Sequence, residues 1–347
     1  MSLVDCDVHN IVGPIETLEP FLDEHWREVI ATSQFAGPTD QAHPPNLATS
    51  LRADLAPVEG SEPGRTVTAL RAHLLDPLGA EVAILSCDYG VESVRNPDAA
   101  SALARAVNDW QRAEWLDREP RLRAAIVTPS QQPAAAVAEI ERCADDPRFV
   151  AVYLPVRSAI PYGNRIWWPL WETIARRELV AELHFGGAAG VPPTAAGWPT
   201  SWLEEYVDMA SAFAAQLTSL VAEGTFDRFP ALRVSLIESG FAWLPAFLWR
   251  FDKGWRGLRR EVPWTTRHPS EYVREHVRVS LQPVDGPPEP AQLLRVVDQL
   301  GSERMLMFSS DYPHRHSDED LAALPADLPP ALAEGLLSTN AKEHYRL

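Results

Sequence analysis

At 347 residues the chain can bury one large core or two medium ones. Its 48 acidic residues against 31 lysines and arginines give a net charge of −17. This argues against a nucleic-acid backbone or an anionic membrane as partner, because the positive field that drives those associations is missing. Three cysteines, Cys6, Cys87 and Cys143, have no paired short spacing and read as reduced thiols. With a strand expected from about residue 3 and no apolar run of membrane-spanning length, the expectation is a soluble, cytoplasmic protein without a signal peptide.

In chain order, the segment Leu3-Val4-Asp5-Cys6-Asp7-Val8-His9 reads as the first strand. A period of two puts Asp5, Asp7 and His9 on one face and Val4, Cys6 and Val8 on the other. Residues 15–32 have helical spacing. Residues 33–64 are rich in proline, glycine and alanine without periodicity, and are expected to form a loop or lid over a site mouth, with a disordered segment as the alternative. A helix over 66–75 precedes a second strand at 81–87. A long helix over 98–117, a strand at 122–127, a helix at 133–145 and a strand at 149–154 follow. Then come a helix at 166–177, a fifth strand at 179–184, a glycine- and proline-rich loop at 185–200 and a helix at 202–223. The sixth strand is placed at 232–238, a tryptophan-rich helix at 241–258, the seventh strand at 277–282, a helix at 291–300 and the eighth strand at 304–311.

Eight short, largely apolar strands separated by helices imply parallel strands buried on both faces. The eightfold alternation closes as a (β/α)₈ TIM barrel, and no internal repeat or linker splits residues 1–347 into two domains. No glycine-rich dinucleotide turn follows any strand, which disfavours an open doubly wound sheet.

Polar residues recur at strand carboxyl ends: Asp7 and His9 on the first, His184 on the fifth, Glu238 on the sixth and Asp311 on the eighth. In a barrel these ends share one mouth, where active sites lie. Histidine mixed with carboxylate suits a zinc- or manganese-class divalent ion, zinc being the first expectation. Arg157, just past the fourth strand, is a candidate clamp for the carboxylate of an anionic small-molecule substrate. His314 is a candidate proton-transfer group, and His316 reads as a solvated loop residue. Trp167, Trp168, Trp171, Trp243, Trp249 and Trp255 read as packing, with Trp198 and Trp202 as possible substrate walls.

The segments Asp5-Cys6-Asp7-Val8-His9, His184-Phe185-Gly186-Gly187, Ile237-Glu238-Ser239-Gly240 and Ser309-Ser310-Asp311-Tyr312-Pro313-His314 together carry a resemblance. The chain resembles the amidohydrolase superfamily, and within it the amidohydrolase-related family that includes aminocarboxymuconate-semialdehyde and γ-resorcylate decarboxylases. The resemblance implies one divalent ion held by Asp7, His9, His184 and Asp311. It also implies a homodimer, with the tryptophan-rich helices as a contact surface. The carbamylated lysine that bridges two ions elsewhere in the superfamily has no counterpart, since Lys253 and Lys342 are the chain's two lysines.

Glu238 stands where the decarboxylases carry histidine. It can act as a base, act as an acid or join the ion's ligands; capping a helix that starts near Ser239 is the bland alternative. Two enzymatic readings follow. One is a carboxy-lyase acting on a small aromatic or unsaturated acid. The other is a hydrolase of an amide, ester or lactone, with Asp311 or Glu238 as base. A non-catalytic barrel with a structural ion is disfavoured, because donors gathered at an open mouth leave room for substrate.

Overall fold

The computed structural model describes residues 2–38, 51–187, 190–287, 289–315 and 328–347. Eight parallel strands form one sheet in sequential order: β1 Leu3–Val8, β2 Ala80–Leu85, β3 Leu122–Val127, β4 Phe149–Arg157, β5 Val180–Gly187, β6 Arg233–Ile237, β7 Val277–Ser280 and β8 Leu306–Met307. β1 and the segment around and after β8 close the ring. The Cys6 N–H donates to Phe308 O (3.0 Å), the His9 N–H to Tyr312 O (2.7 Å) and the Asp311 N–H to Asp7 O (3.1 Å). The structure is a TIM barrel.

Closure explains why the strands read as unbroken apolar runs. All nine residues of β4 are buried, so no solvent face existed to imprint alternation. The interior is filled by Val4, Cys6, Val82, Ile84, Ala125, Ala151, Tyr153, Val180 and Met307. Tyr345 joins them from the C-terminal helix Asn340–Tyr345. A larger apolar shell lies between the strands and the helices. Among the described residues no helix is long and apolar enough to cross a membrane.

Departures from the expected elements have local causes. The helix expected over 15–32 splits into a 3-10 turn, Ile15–Phe21, and an α-helix, Glu24–Thr32. Pro20 lies within the first piece, and Asp23 starts the second by accepting the Trp26 N–H (3.0 Å). Pro97–Trp110 carries on as a π-turn, Gln111–Leu116. The helices Thr225–Arg228 and Pro269–His276 are additional to the elements expected from the sequence. The second begins with a capping box between His268 and Glu271, whose histidine N-cap lies outside the usual Ser/Thr/Asp/Asn signature. Trp167 and Trp171 are buried as expected of packing residues, whereas Trp249 is 56% exposed.

β6 and β8 stop short of their expected ends, and the reason bears on the site. The ladder ends at Ile237 and at Met307, so Glu238 and Asp311 lie in the turns that follow. Both adopt left-handed backbone, with φ of 58° and 53°. Such conformations are unfavourable for residues other than glycine and concentrate at functional sites.

Candidate metal centre

β1 does not keep the strict alternation its sequence suggests. Its register with β2 shifts between Asp5 and Val8. Val4 and Cys6 therefore join the barrel interior while Asp7 turns toward His184 across the mouth. Asp5 parts company with Asp7. Its Oδ1 accepts the N–H of Asp7 (3.2 Å) and of Ser310 (3.0 Å), tying β1 to the loop that carries Asp311.

Six buried side chains converge on the mouth: Asp7, His9, His184, Glu238, Asp311 and His314. His9 Nε2 stands 3.4 Å from Asp7 Oδ1, 3.0 Å from Asp311 Oδ1 and 3.6 Å from Glu238 Oε1. His184 Nε2 is 3.3 Å from the same Asp7 oxygen. The ring of His184 is oriented by its other nitrogen, whose N–H donates to Phe185 O (2.9 Å) and leaves the Nε2 lone pair facing the cluster. His314 Nδ1 lies 2.8 Å from Asp311 Oδ1, and its ring centroid is 4.2 Å from that of His9.

These residues fit a divalent cation. Asp7 Oδ2 and both nitrogens of His9 are buried without a hydrogen-bond partner. Leaving such atoms unmatched is costly unless something charged takes their place. Donors bound to one ion at about 2.0–2.2 Å stand roughly 3–3.6 Å apart, as these do. Two four-residue groups meet the condition that all donor atoms lie within 4.8 Å of one another: Asp7, His9, His184 and Glu238, and His9, Glu238, Asp311 and His314.

The electrostatics point the same way. Burial by itself lowers each imidazole's pKa, but the surrounding carboxylates more than reverse this. Glu238 and Asp7 bring His184 up to about 10, and Asp311 brings His314 up to about 9. His9 is raised well above its ordinary value, chiefly by Asp7 and Asp311. The cluster demands positive charge, and an ion that supplies it displaces the protons.

Of the four residues expected to hold the ion, Asp7, His9 and His184 fall in one donor group with Glu238, whereas Asp311 falls in the other, with His9, Glu238 and His314. Glu238 caps no helix, since the following one starts only at Leu244. Arg157 lies at the end of β4, with its guanidinium engaged. Nη1 pairs with the buried Glu205 at 2.6 Å and donates to Pro193 O (3.0 Å), while the group lies 4.9 Å above the Phe185 ring. Trp202 packs on Phe185 at 5.7 Å, and Trp198 is largely exposed. His316 lies outside the described residues.

Three neighbours escaped sequence reasoning. Asp88, whose Oδ1 is 3.9 Å from His9 Nδ1, follows Cys87 at the end of the second expected strand. The strand-end rule that found the other carboxylates would have found it too. Tyr153, whose ring lies 5.1 Å from that of His184, carries no signal that separates it from core aromatics.

Glu182 precedes His184 by two residues on the same face of β5 and is wholly buried. Tyr345 OH lies 3.4 Å from its Oε1, and its Oε2 has no partner. Burial pushes the Glu182 carboxyl up to about 8, against about 4.3 in an unfolded chain. Below the unfolded value both states are protonated and no penalty exists. As pH rises from the unfolded toward the folded value, the unfolded chain ionises while the native carboxyl resists, and stability is lost until the folded value is passed. Thermal melts of metal-free protein are therefore expected to fall between about pH 4.3 and pH 8. Glu182→Gln is expected to flatten that slope; equal slopes for both proteins would contradict the burial account.

With this geometry in view, the family follows from the whole sequence. Residues 4–347 match the amidohydrolase family. The chain belongs to it. Among its relatives, a γ-resorcylate decarboxylase of Polaromonas sp. is 28% identical over 272 residues, covering 72% of this chain and 77% of that protein. The crystal structure of a dihydroxybenzoic acid decarboxylase from Polaromonas sp., with bound manganese and the inhibitor 2-nitroresorcinol, aligns at a TM-score of 0.69 and 22% identity. That alignment covers 100% of this chain and 97% of the other. A 5-carboxyvanillate decarboxylase from Novosphingobium aromaticivorans, complexed with manganese and 4-hydroxy-3-methoxy-5-nitrobenzoic acid, aligns at a TM-score of 0.70 and 18% identity, covering 100% and 96%. These structural likenesses establish the shared barrel. The relatives so named are aromatic-acid decarboxylases, and both structures hold manganese.

Proposed function

We propose that this family member is a divalent-metal-dependent carboxy-lyase acting on a small aromatic or unsaturated acid. The observation that carries this reading is the buried donor set at the barrel mouth, with a histidine–carboxylate pair beside it. Asp7, His9, His184 and Asp311 would hold one ion, and the manganese of the relatives makes Mn²⁺ the expected one in place of zinc. A bound ion would supply a positive charge on which substrate oxygens gather.

His314, 2.8 Å from Asp311, would give a proton to the carbon that bears the carboxylate. The bond pair joining that carbon to the carboxylate then returns to the ring, and carbon dioxide leaves. Arg157 belongs to this reading as the cation nearest the end of β4 for a substrate anion.

We assign the whole chain to one barrel domain and residues 33–64 to its lid. Residues 39–50 lie outside the described residues, but the following stretch is tied to the loop after β8. Leu51 bridges to His314, the Arg52 N–H donates to Pro313 O (3.0 Å) and the Gly64 N–H donates to Tyr312 OH (3.0 Å). The assembly proposed is a homodimer.

Glu238 supports the hydrolytic alternative as well, because a third carboxylate beside Asp7 and Asp311 opposes a substrate carboxylate. Turnover separates the two readings. Mn²⁺-loaded protein given 2,6-dihydroxybenzoate and other small aromatic acids is expected to release carbon dioxide in proportion to the decarboxylated arene. Release of an amine or alcohol from amide or ester substrates, without carbon dioxide from the acids, selects the hydrolase.

A further inference from the structure

The role of Glu238 is settled neither by its position after β6 nor by comparison with a histidine. Its surroundings are more informative. The backbone N–H of Glu238 donates to Ser280 Oγ on β7 (3.0 Å), which holds the residue in its left-handed conformation. The side chain is 9% exposed and points into the cluster.

The two oxygens divide the space. Oε1 stands 3.6 Å from His9 Nε2 and 3.8 Å from His314 Nδ1, and Oε2 stands 3.6 Å from His184 Nδ1. The separation from His9 Nε2 exceeds a direct hydrogen bond and matches that between neighbouring donors on a shared ion, whereas His184 Nδ1 is committed to Phe185 O, so Oε2 lies beside the edge of that ring away from its donor Nε2. Glu238 and His9 are the two residues common to both donor groups at the mouth. A residue that served only as a free base would need open access to substrate, not a place among the donors.

We propose that Glu238 is a fifth protein ligand of the ion, and that it sets which ion is held. The inference rests on the metal reading above and deepens it. Shared by both donor groups, Glu238 would join Asp7, His9 and His184 on one side to Asp311 on the other, giving an oxygen-rich set of five donors with three carboxylates. Such a shell suits a hard ion of higher coordination such as Mn²⁺, and disfavours the four-coordinate arrangement preferred by Zn²⁺.

The test is binding, not turnover. Metal-stripped full-length protein is titrated with MnCl₂, following free Mn²⁺ by electron paramagnetic resonance and heat by calorimetry. The unaltered protein is expected to take one Mn²⁺ per chain, and Glu238→Gln to weaken that binding by about a hundredfold or more. Glu238→His, which keeps a donor but replaces oxygen by nitrogen, is expected to bind an ion while shifting preference toward Zn²⁺ by at least about tenfold. It also serves if the glutamine variant does not fold.

Mn²⁺ affinity within threefold of the unaltered protein in Glu238→Gln overturns the inference, as does an unchanged Zn²⁺/Mn²⁺ preference in Glu238→His. No binding by the unaltered protein overturns the metal reading itself and the inference with it. Binding that behaves as expected, without carbon dioxide release from any acid, leaves the ligand assignment standing and removes only the lyase.

Discussion

Metal-stripped His184→Ala protein is expected to lose stoichiometric Mn²⁺ binding, with affinity reduced more than a hundredfold. Three features make this the largest effect at the site. The side chain is buried at the carboxyl end of β5. Its Nδ1–H is committed to Phe185 O, which fixes the ring and the tautomer. Its Nε2 lies 3.3 Å from Asp7 Oδ1, so removing it strips a donor from the group that holds Asp7, His9 and Glu238.

The loss can be read without turnover. An ion that binds only the native state at a hundred times its Kd stabilises it by about 2.7 kcal/mol. Melting curves of the unaltered protein should therefore rise on adding Mn²⁺, whereas those of His184→Ala should not move. Full occupancy and activity in the variant would show that the donor set is misassigned.

The second large effect concerns stability. Arg157 is 7% exposed and Glu205 is wholly buried, with 2.6 Å between Nη1 and Oε1. Breaking such a pair by removing one partner costs about 3–5 kcal/mol, because the remaining charge stays in a poor environment for it. Arg157→Met is expected to destabilise the protein by that amount in chemical denaturation. The double exchange Arg157→Met with Glu205→Gln should recover most of the loss, since neither charge is then left behind.

Arg157→Lys separates this anchoring from substrate binding. It keeps the charge but loses the planar fork. A raised KM at unchanged kcat in a folded variant supports the clamp. Unchanged KM with a lowered melting temperature assigns Arg157 to holding the loop after β5, through Glu205, Pro193 and Phe185.

The legible part of this protein lies where the chain's own periodicity carries the information. Eight apolar runs separated by helical patterns specify a closed parallel barrel, because strands covered on both faces admit few polar residues. The same economy exposes the site. A histidine or carboxylate at the end of an apolar strand stands out, as Asp7, His9, His184, Glu238 and Asp311 do. Glu182 shows the limit of that signal. It is as conspicuous in β5 as His184, yet its isolation beneath the cluster becomes apparent only from the side chains around it.

By itself the sequence determined the barrel, the mouth and the residue types gathered there, since each follows from short-range pattern and chain order. The tertiary structure alone decided their surroundings. The register shift in β1 separated Asp5 from Asp7. The pair with Glu205 engaged the guanidinium of Arg157. The early ends of β6 and β8 turned Glu238 and Asp311 inward on left-handed backbone. These outcomes depend on contacts between strands distant in sequence, and no local periodicity records a partner that far away.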